Sequence, residues 1–368
     1  MRRRLTGKHL RVHSDGIFYK SQAQWVFMVS CLLQCVALLR AVPAADGALT
    51  VPTPAIICSA TNFKTWATVS GCCHLLLYYK LSDTDLPMLD SGSAILEALT
   101  DEPTSIRLFG ESPFIRTPHG LRYALYKDKY FRAEVGEVHR DQCLATFAQV
   151  NLPLQTRIHL RVGIYCVRDL LNESISSFDP QEPEPAWTAI AFAHWIPPQR
   201  DWTNRFRERT TFSQLARHLI QVDVNTQSCA GTHLMEALGL IRNADAKYDL
   251  LDSITRTSLN EYLNSLMREV IKYQDEDGSW SGEWCSSMRH KVLDERAQLE
   301  LRVLVTGHLV TILQESDTAG LISSSAYNRA IRWLRQTVSR ECPNMRAPEW
   351  LCPLTHACLS IKQVSKEP

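Results

Sequence analysis

The chain has 368 residues, with 40 lysines and arginines against 39 aspartates and glutamates, 45% hydrophobic and 21% charged. That balance excludes a disordered or collagen-like chain and lacks the basic excess of a nucleic-acid-binding surface, so no nucleic-acid partner is expected. With 15 glycines and 17 prolines, a Gly-rich all-β protein is disfavoured.

Residues 1–22 form a basic segment: Arg2, Arg3, Arg4, Lys8, Arg11 and Lys20 face one acid, Asp15. Residues 23–39, AQWVFMVSCLLQCVALL, carry no charge. An uncharged run behind a basic flank fits the positive-inside rule, so 23–40 reads as a signal peptide or a membrane anchor. Val42, Pro43, Ala44 and Ala45 resemble a small-residue cleavage site. Uncleaved, residues 23–39 are the contact with the membrane; cleaved, the product is secreted or periplasmic. Either way the remainder is expected outside the cytoplasm. Residues 41–60 read as a small, Pro-dotted linker, and 61–368 as one domain. The twelve cysteines include no CxxC pair. Export permits disulfides without fixing their pairing.

From residue 61 onward the periodicity is helical. Helices are predicted over 139–150, 163–177, 212–222, 233–243, 257–273, 292–315 and 325–340. In 257–273, Leu259, Tyr262, Leu263, Leu266, Met267, Val270 and Ile271 line one face. Ser258 and Glu261 there suggest a capping box. Residues 101–135 are the least helical and suit a short hairpin or an irregular insert. Several short apolar segments open on histidine: His74, His139, His233, His308 and His356. Trp187 to Trp195 has the same character with His194 at its far end. Trp-bearing loops often precede these segments. A helix that is apolar all round must be buried on every side. Alternation with amphipathic helices therefore predicts an all-α fold, an α/α toroid in which six hairpins place the apolar helices inside. The inner helices run parallel and their N-termini meet at one mouth, which suits anionic or hydroxyl-rich ligands.

Gln274, Gly278 and Trp280, in QDEDGSW, form a Q-x3-G-x-W motif. It is similar to the QW repeat of squalene–hopene cyclases and protein prenyltransferase β subunits, whose fold is an α/α toroid. The glutamine is expected to bond the exposed backbone of the next helix and the tryptophan to stack against it and seal the turn. GLRY (120–123), EVGEVHRDQCLA (134–145) and SCAGTH (228–233) also resemble a family of exported bacterial toroid proteins that brings no established activity. The cyclase acid D-x-D-D has no complete counterpart, since Asp83-Thr84-Asp85 is followed by Leu86.

Cys229 and His233 are spaced C-x3-H, as are Cys352 and His356. Such spacing puts thiol and imidazole on one helical face, the chemistry of a metal site or an activated nucleophile. His233, His308, His356, Cys229 and Glu137 are the binding candidates. His139, Asp141 and Glu236 are the candidates for acid–base catalysis, Glu236 because it lies within an apolar inner segment. The pattern demands no cofactor. Zinc is the metal that Asp141, Cys143, Cys229 and His233 would take. The expected protein binds an unidentified ligand at the barrel mouth; the alternative is an enzyme on an isoprenoid, lipid or polysaccharide substrate.

Overall fold

The computed structural model describes residues 68–81, 95–126, 128, 135–287, 292–315, 324–341, 344–345 and 350–364. The apolar run at 23–39, the linker and the Asp83–Asp85 segment lie outside the described residues. The chain divides into units 1–51 and 52–368, and every described residue belongs to the second. Among the described residues no helix is long and apolar enough to cross a membrane.

The described part is mainly helical. In chain order the helices are α1 (Val69–Leu81), α2 (Ile95–Thr100), α3 (Glu102–Phe109), α4 (Gln142–Gln149), α5 (Val167–Ser176), α6 (Ala186–Trp195) and α7 (Phe212–Gln221). Then come α8 (Thr232–Tyr248), α9 (Ser253–Lys272), α10 (Glu295–Glu315), α11 (Ser324–Glu341) and α12 (Leu351–Val364). Three antiparallel hairpins interrupt them: β1 (Phe114–Thr117) with β2 (Gly120–Tyr123), β3 (Arg157–Leu160) with β4 (Gly163–Cys166), and β5 (Asp201–Thr203) with β6 (Arg209–Thr211).

The first hairpin falls where the sequence is least helical. The other two depart from the expectation. Residues 163–166, predicted as a helix start, are strand β4, and α5 begins only at Val167. β4 is short and largely exposed, so burial leaves no alternating pattern in its sequence. The helix expected over 257–273 also differs at its start. It begins a turn earlier, where the Asp252 carboxylate accepts the Thr255 N–H; Ser258 and Glu261 lie inside α9 and cap nothing.

The apolar helices pack on one another. α1 contacts α4, α4 contacts α6, α6 contacts α8, α8 contacts α10, α10 contacts α12, and α12 contacts α1. In α6 every residue from Ala186 to Ala193 is buried, Thr188 included, as an all-apolar helix between two neighbours requires. The more polar α9 and α11 pack on single faces. Leu259, Leu263, Leu266, Met267 and Val270 are the buried stripe of α9.

The QW segment ties α9 to α11. Gln274 Nε2 donates to the carbonyls of Gly278 and Ala326, both at 2.8 Å, and the second links the end of α9 to the first turn of α11. Arg329 bonds the amide oxygen of Gln274. Trp280 is fully buried, and its indole N–H donates to Val270 O at 2.6 Å. Gly278 has φ 98°, and a Cβ there would lie 2.7 Å from Arg329 backbone atoms, so the turn needs glycine twice over.

α10 and α12 approach each other closely at Gly307. A Cβ on Gly307 would stand 2.7 Å from Ala357 N. Ser360 and Thr311 hydroxyls both donate to Gly307 O, at 2.9 and 3.0 Å. Gly307→Ala is therefore expected to lower stability by about 1–3 kcal/mol through overpacking, measured by denaturant unfolding. An unchanged midpoint would show that α12 moves aside freely.

Candidate metal centre

Three histidines predicted for binding meet in the interior. His233 comes from the start of α8, His308 from the middle of α10 and His356 from α12. All three are buried. The His308 and His356 rings stack with centroids 3.5 Å apart, a spacing that the Gly307 contact makes possible. His233 meets His308 edge-on at 4.6 Å, and His74 from α1 meets His356 edge-on at 6.1 Å. The expectation that each histidine opens its helix is corrected. α10 begins at Glu295, because the charged residues before the apolar stretch continue the same helix, and His308 lies well inside it.

Two thiols complete the cluster. Cys229 Sγ lies 3.8 Å from Cys352 Sγ, and Cys352 Sγ lies 3.8 Å from His308 Nε2. The donor atoms of Cys229, His308 and Cys352 all fall within 4.8 Å of one another. The same holds for His233, His308 and His356, and for His74, Cys352 and His356. Both cysteines are half-buried as residues, and the imidazoles beside them are buried.

The turn carrying Cys229 is unusual. Cys229, Ala230 and Gly231 have φ of 50°, 54° and 76°, three left-handed residues in succession. Such a run costs energy in any residue but glycine and persists only where its surroundings over-determine it. They do so here. Trp284 Nε1 donates to Ala230 O at 2.8 Å, Thr232 Oγ1 to Cys229 O at 2.8 Å, and Trp187 Nε1 to Ser228 Oγ at 3.1 Å. A Cβ on Gly231 would lie 2.1 Å from Val224 Cγ2. Two of the tryptophans noted beside the histidine segments thus act by holding the Cys229 turn.

The protonation states follow from the contacts. The hydrogen bond from Cys352, aided against burial by His233, holds the Cys229 thiol well below its ordinary range. Its partner Cys352 is pushed up by that same interaction and by burial, so the two sulfurs share one proton. Burial opposes charge on His233, but the Cys229 thiolate and the Glu236 carboxylate raise it to about 10. Burial lowers His308 and His356, and takes His74 to about 4, so these three rings are neutral. His233 Nδ1 lies 2.9 Å from Glu236 Oε2, and Gln149 bonds the other carboxylate oxygen. His233 Nε2 and His356 Nδ1 are buried and have no hydrogen-bond partner. His74 Nδ1 is engaged by Ser70 O at 2.8 Å, which leaves its other nitrogen for the cluster.

The remaining candidates lie elsewhere. His139 Nδ1 pairs with Glu184 at 2.7 Å, and its ring stacks on Trp187, whose ring also meets that of His233 with centroids 3.9 Å apart. Asp141, at φ 60°, precedes α4 without capping it and accepts from Thr188 and Ser174 at 2.6 and 2.7 Å. Cys143 Sγ lies 2.8 Å from Cys73 Sγ, away from Asp141's partners, so the D-x-C spacing gathers no donor set among the described residues. Glu137 is buried and accepts the Cys143 N–H at 2.6 Å. Burial, with the nearby Asp141, pushes it up to about 8. His74 was among the segment-opening histidines but not among the binding candidates, and the Cys229–Cys352 meeting was not readable from the sequence. The partner of Glu236 is His233, three residues away on the same helix face, a pairing that the sequence reading did not draw.

No known family profile, curated protein or solved structure matches this chain.

Proposed function

We propose that the protein is an α/α-toroid metalloprotein that binds one zinc ion through Cys229, Cys352 and His308. The cycle of contacts among α1, α4, α6, α8, α10 and α12 supports the toroid as its inner ring. The observation that carries the metal is the donor spacing. A tetrahedral zinc with bonds of about 2.3 Å to sulfur and 2.0–2.1 Å to nitrogen holds two sulfurs about 3.8 Å apart and a sulfur and a nitrogen about 3.6 Å apart. The corresponding separations here are 3.8 Å and 3.8 Å. Softness agrees, since two thiolates and imidazole favour zinc over magnesium or calcium. Metal binding needs deprotonated thiols and neutral imidazole, and Cys229 and His308 already have those forms.

Three protein ligands leave one coordination position, the arrangement of catalytic rather than structural zinc. Zinc at such a position lowers the pKa of a bound nucleophile. His233 stands beside it as an imidazolium held by the Glu236 carboxylate on Nδ1, an oriented proton donor next to the open position. We therefore favour a metal-dependent enzyme over a passive binding module. The test is zinc titration of reduced, full-length protein followed by elemental analysis after desalting. One zinc per chain is expected, falling to near zero in Cys229→Ser. A native chain that retains no zinc would sink the proposal.

A second reading rests on Cys229 alone. Thiolate, imidazolium and carboxylate in Cys229, His233 and Glu236 form the order of a cysteine nucleophile, its base and the orienting group. Metal-free protein whose Cys229 is alkylated rapidly by iodoacetamide, and which zinc does not protect, favours that reading.

A further inference from the structure

A second region of the molecule combines a cavity with unpaired positive charge. A cleft of about 460 Å³ opens between the β1–β2 hairpin, the turn before α4 and the end of α5. That is within the ~300–1,000 Å³ typical of small-molecule sites. The cleft contains none of the zinc donors and stands independent of the metal proposal.

The hairpin is seated on α5 by glycine. A Cβ on Gly120 would lie 2.1 Å from Asp169 O, so only glycine lets β2 approach this closely. That docking brings Thr117 Oγ1 to 2.5 Å from Glu173 Oε2 and makes one wall of the cleft.

Four arginines line the cleft, and they differ in their partners. Arg122 is held by Asp128 at 3.0 Å, and Arg140 by Glu182 at 3.0 Å. Arg116 and Arg205 are exposed and form no ion pair among the described residues. The Arg205 guanidinium carbon lies 4.9 Å from the centre of the Phe206 ring. Apart from Asp128, which is paired with Arg122, the carboxyl groups are Glu137 and Glu173, each 4% exposed, and half-buried Asp141. Two free guanidiniums fit a carboxylate. Buried carboxyl oxygens fit hydroxyl groups and repel a dianion such as phosphate.

We propose that this cleft binds a hydroxylated monocarboxylate of sugar size, a uronic acid, with Arg116 and Arg205 on its carboxylate and Asp141 and Glu173 on its hydroxyls. The ligand's charge would then be read at the rim and its hydroxyls at the floor.

The test is titration calorimetry on the full chain with three probes: sodium glucuronate, glucose and inorganic phosphate. Saturable glucuronate binding is expected, with glucose and phosphate each weaker by about tenfold or more. An Arg116→Ala/Arg205→Ala double variant should lose about tenfold or more in glucuronate affinity. Both side chains are exposed, so its helical circular dichroism and zinc uptake should match the native chain. Absence of glucuronate binding would overturn the proposal. Phosphate binding as tight as glucuronate would overturn the hydroxyl-reading floor, and an unaffected double variant would overturn the role of the arginines.

Discussion

Trp280→Ala is expected to lower the unfolding free energy by about 3–5 kcal/mol, the range for emptying the space of a buried tryptophan. The ring is wholly enclosed, so its loss leaves a cavity that water cannot usefully fill. Two further effects add to the lost packing. Val270 O loses the indole N–H that satisfies it near the end of α9, and the Trp280 backbone N–H, bonded to Thr306 Oγ1 at 2.9 Å, loses its positioning. Trp280→Phe separates the terms. It keeps most of the ring and removes only the donor, so a loss of about 1–3 kcal/mol is expected. Chemical denaturation of both variants measures the difference. Equal losses would mean that the hydrogen bond, not the packing, dominates; a loss under about 1 kcal/mol for alanine would remove this tryptophan from the stabilising set.

The second large effect is a change with pH. Glu137 has an ordinary value of 4.5 and is raised to about 8 in the folded chain. Below pH 4.5 the group is protonated in both states and the native state bears no penalty. As pH rises the unfolded chain releases this proton first, so the native state binds more protons and stability falls. The fall continues until the folded group ionises near pH 8. Glu137→Gln removes the titration and keeps an oxygen for the Cys143 N–H. The variant should match the native protein near pH 4.5 and exceed it by on the order of 3 kcal/mol at pH 8. Melting curves across that window decide the matter. A variant equally destabilised at every pH would show that the carboxyl's hydrogen bonds outweigh its burial.

Much of the helical framework was legible in the sequence. Periodicity located α7, α9, α10 and α11 to within a few residues, because each carries an apolar stripe long enough to count. The recurrence of histidine in apolar segments named His233, His308 and His356, which do come together. Q-x3-G-x-W pointed to the backbone bonds of Gln274, of which the one to Gly278 is local and the one to Ala326 spans 52 residues, and to the burial of Trp280 at the turn. Three things were hidden. The strands of hairpins β3–β4 and β5–β6 are three or four residues long, too short for an alternation to stand out from the flanking sequence. The meeting of Cys229 with Cys352 spans 123 residues, and no local pattern encodes so distant a partner. The raised pKa of Glu137 comes from burial and the nearby Asp141 carboxylate, an environment that exists only once the chain has folded. His139 and Asp141 show the opposite error. Their proximity in sequence suggested one site, but the left-handed backbone at Asp141 sends the two side chains to different partners.

The donor cluster draws on α1, the turn before α8, α10 and α12, and α12 is the last described element to be synthesised. A nascent chain on the ribosome that lacks α12 has neither Cys352 nor His356, and α1 has no closing neighbour on that side. These are contacts of high sequence separation, the kind that form late because a long loop must close before they give any return. Ion capture would then accompany the last docking event rather than nucleate folding. The occupied fraction of a preparation would report how many molecules had brought the two ends of the domain together.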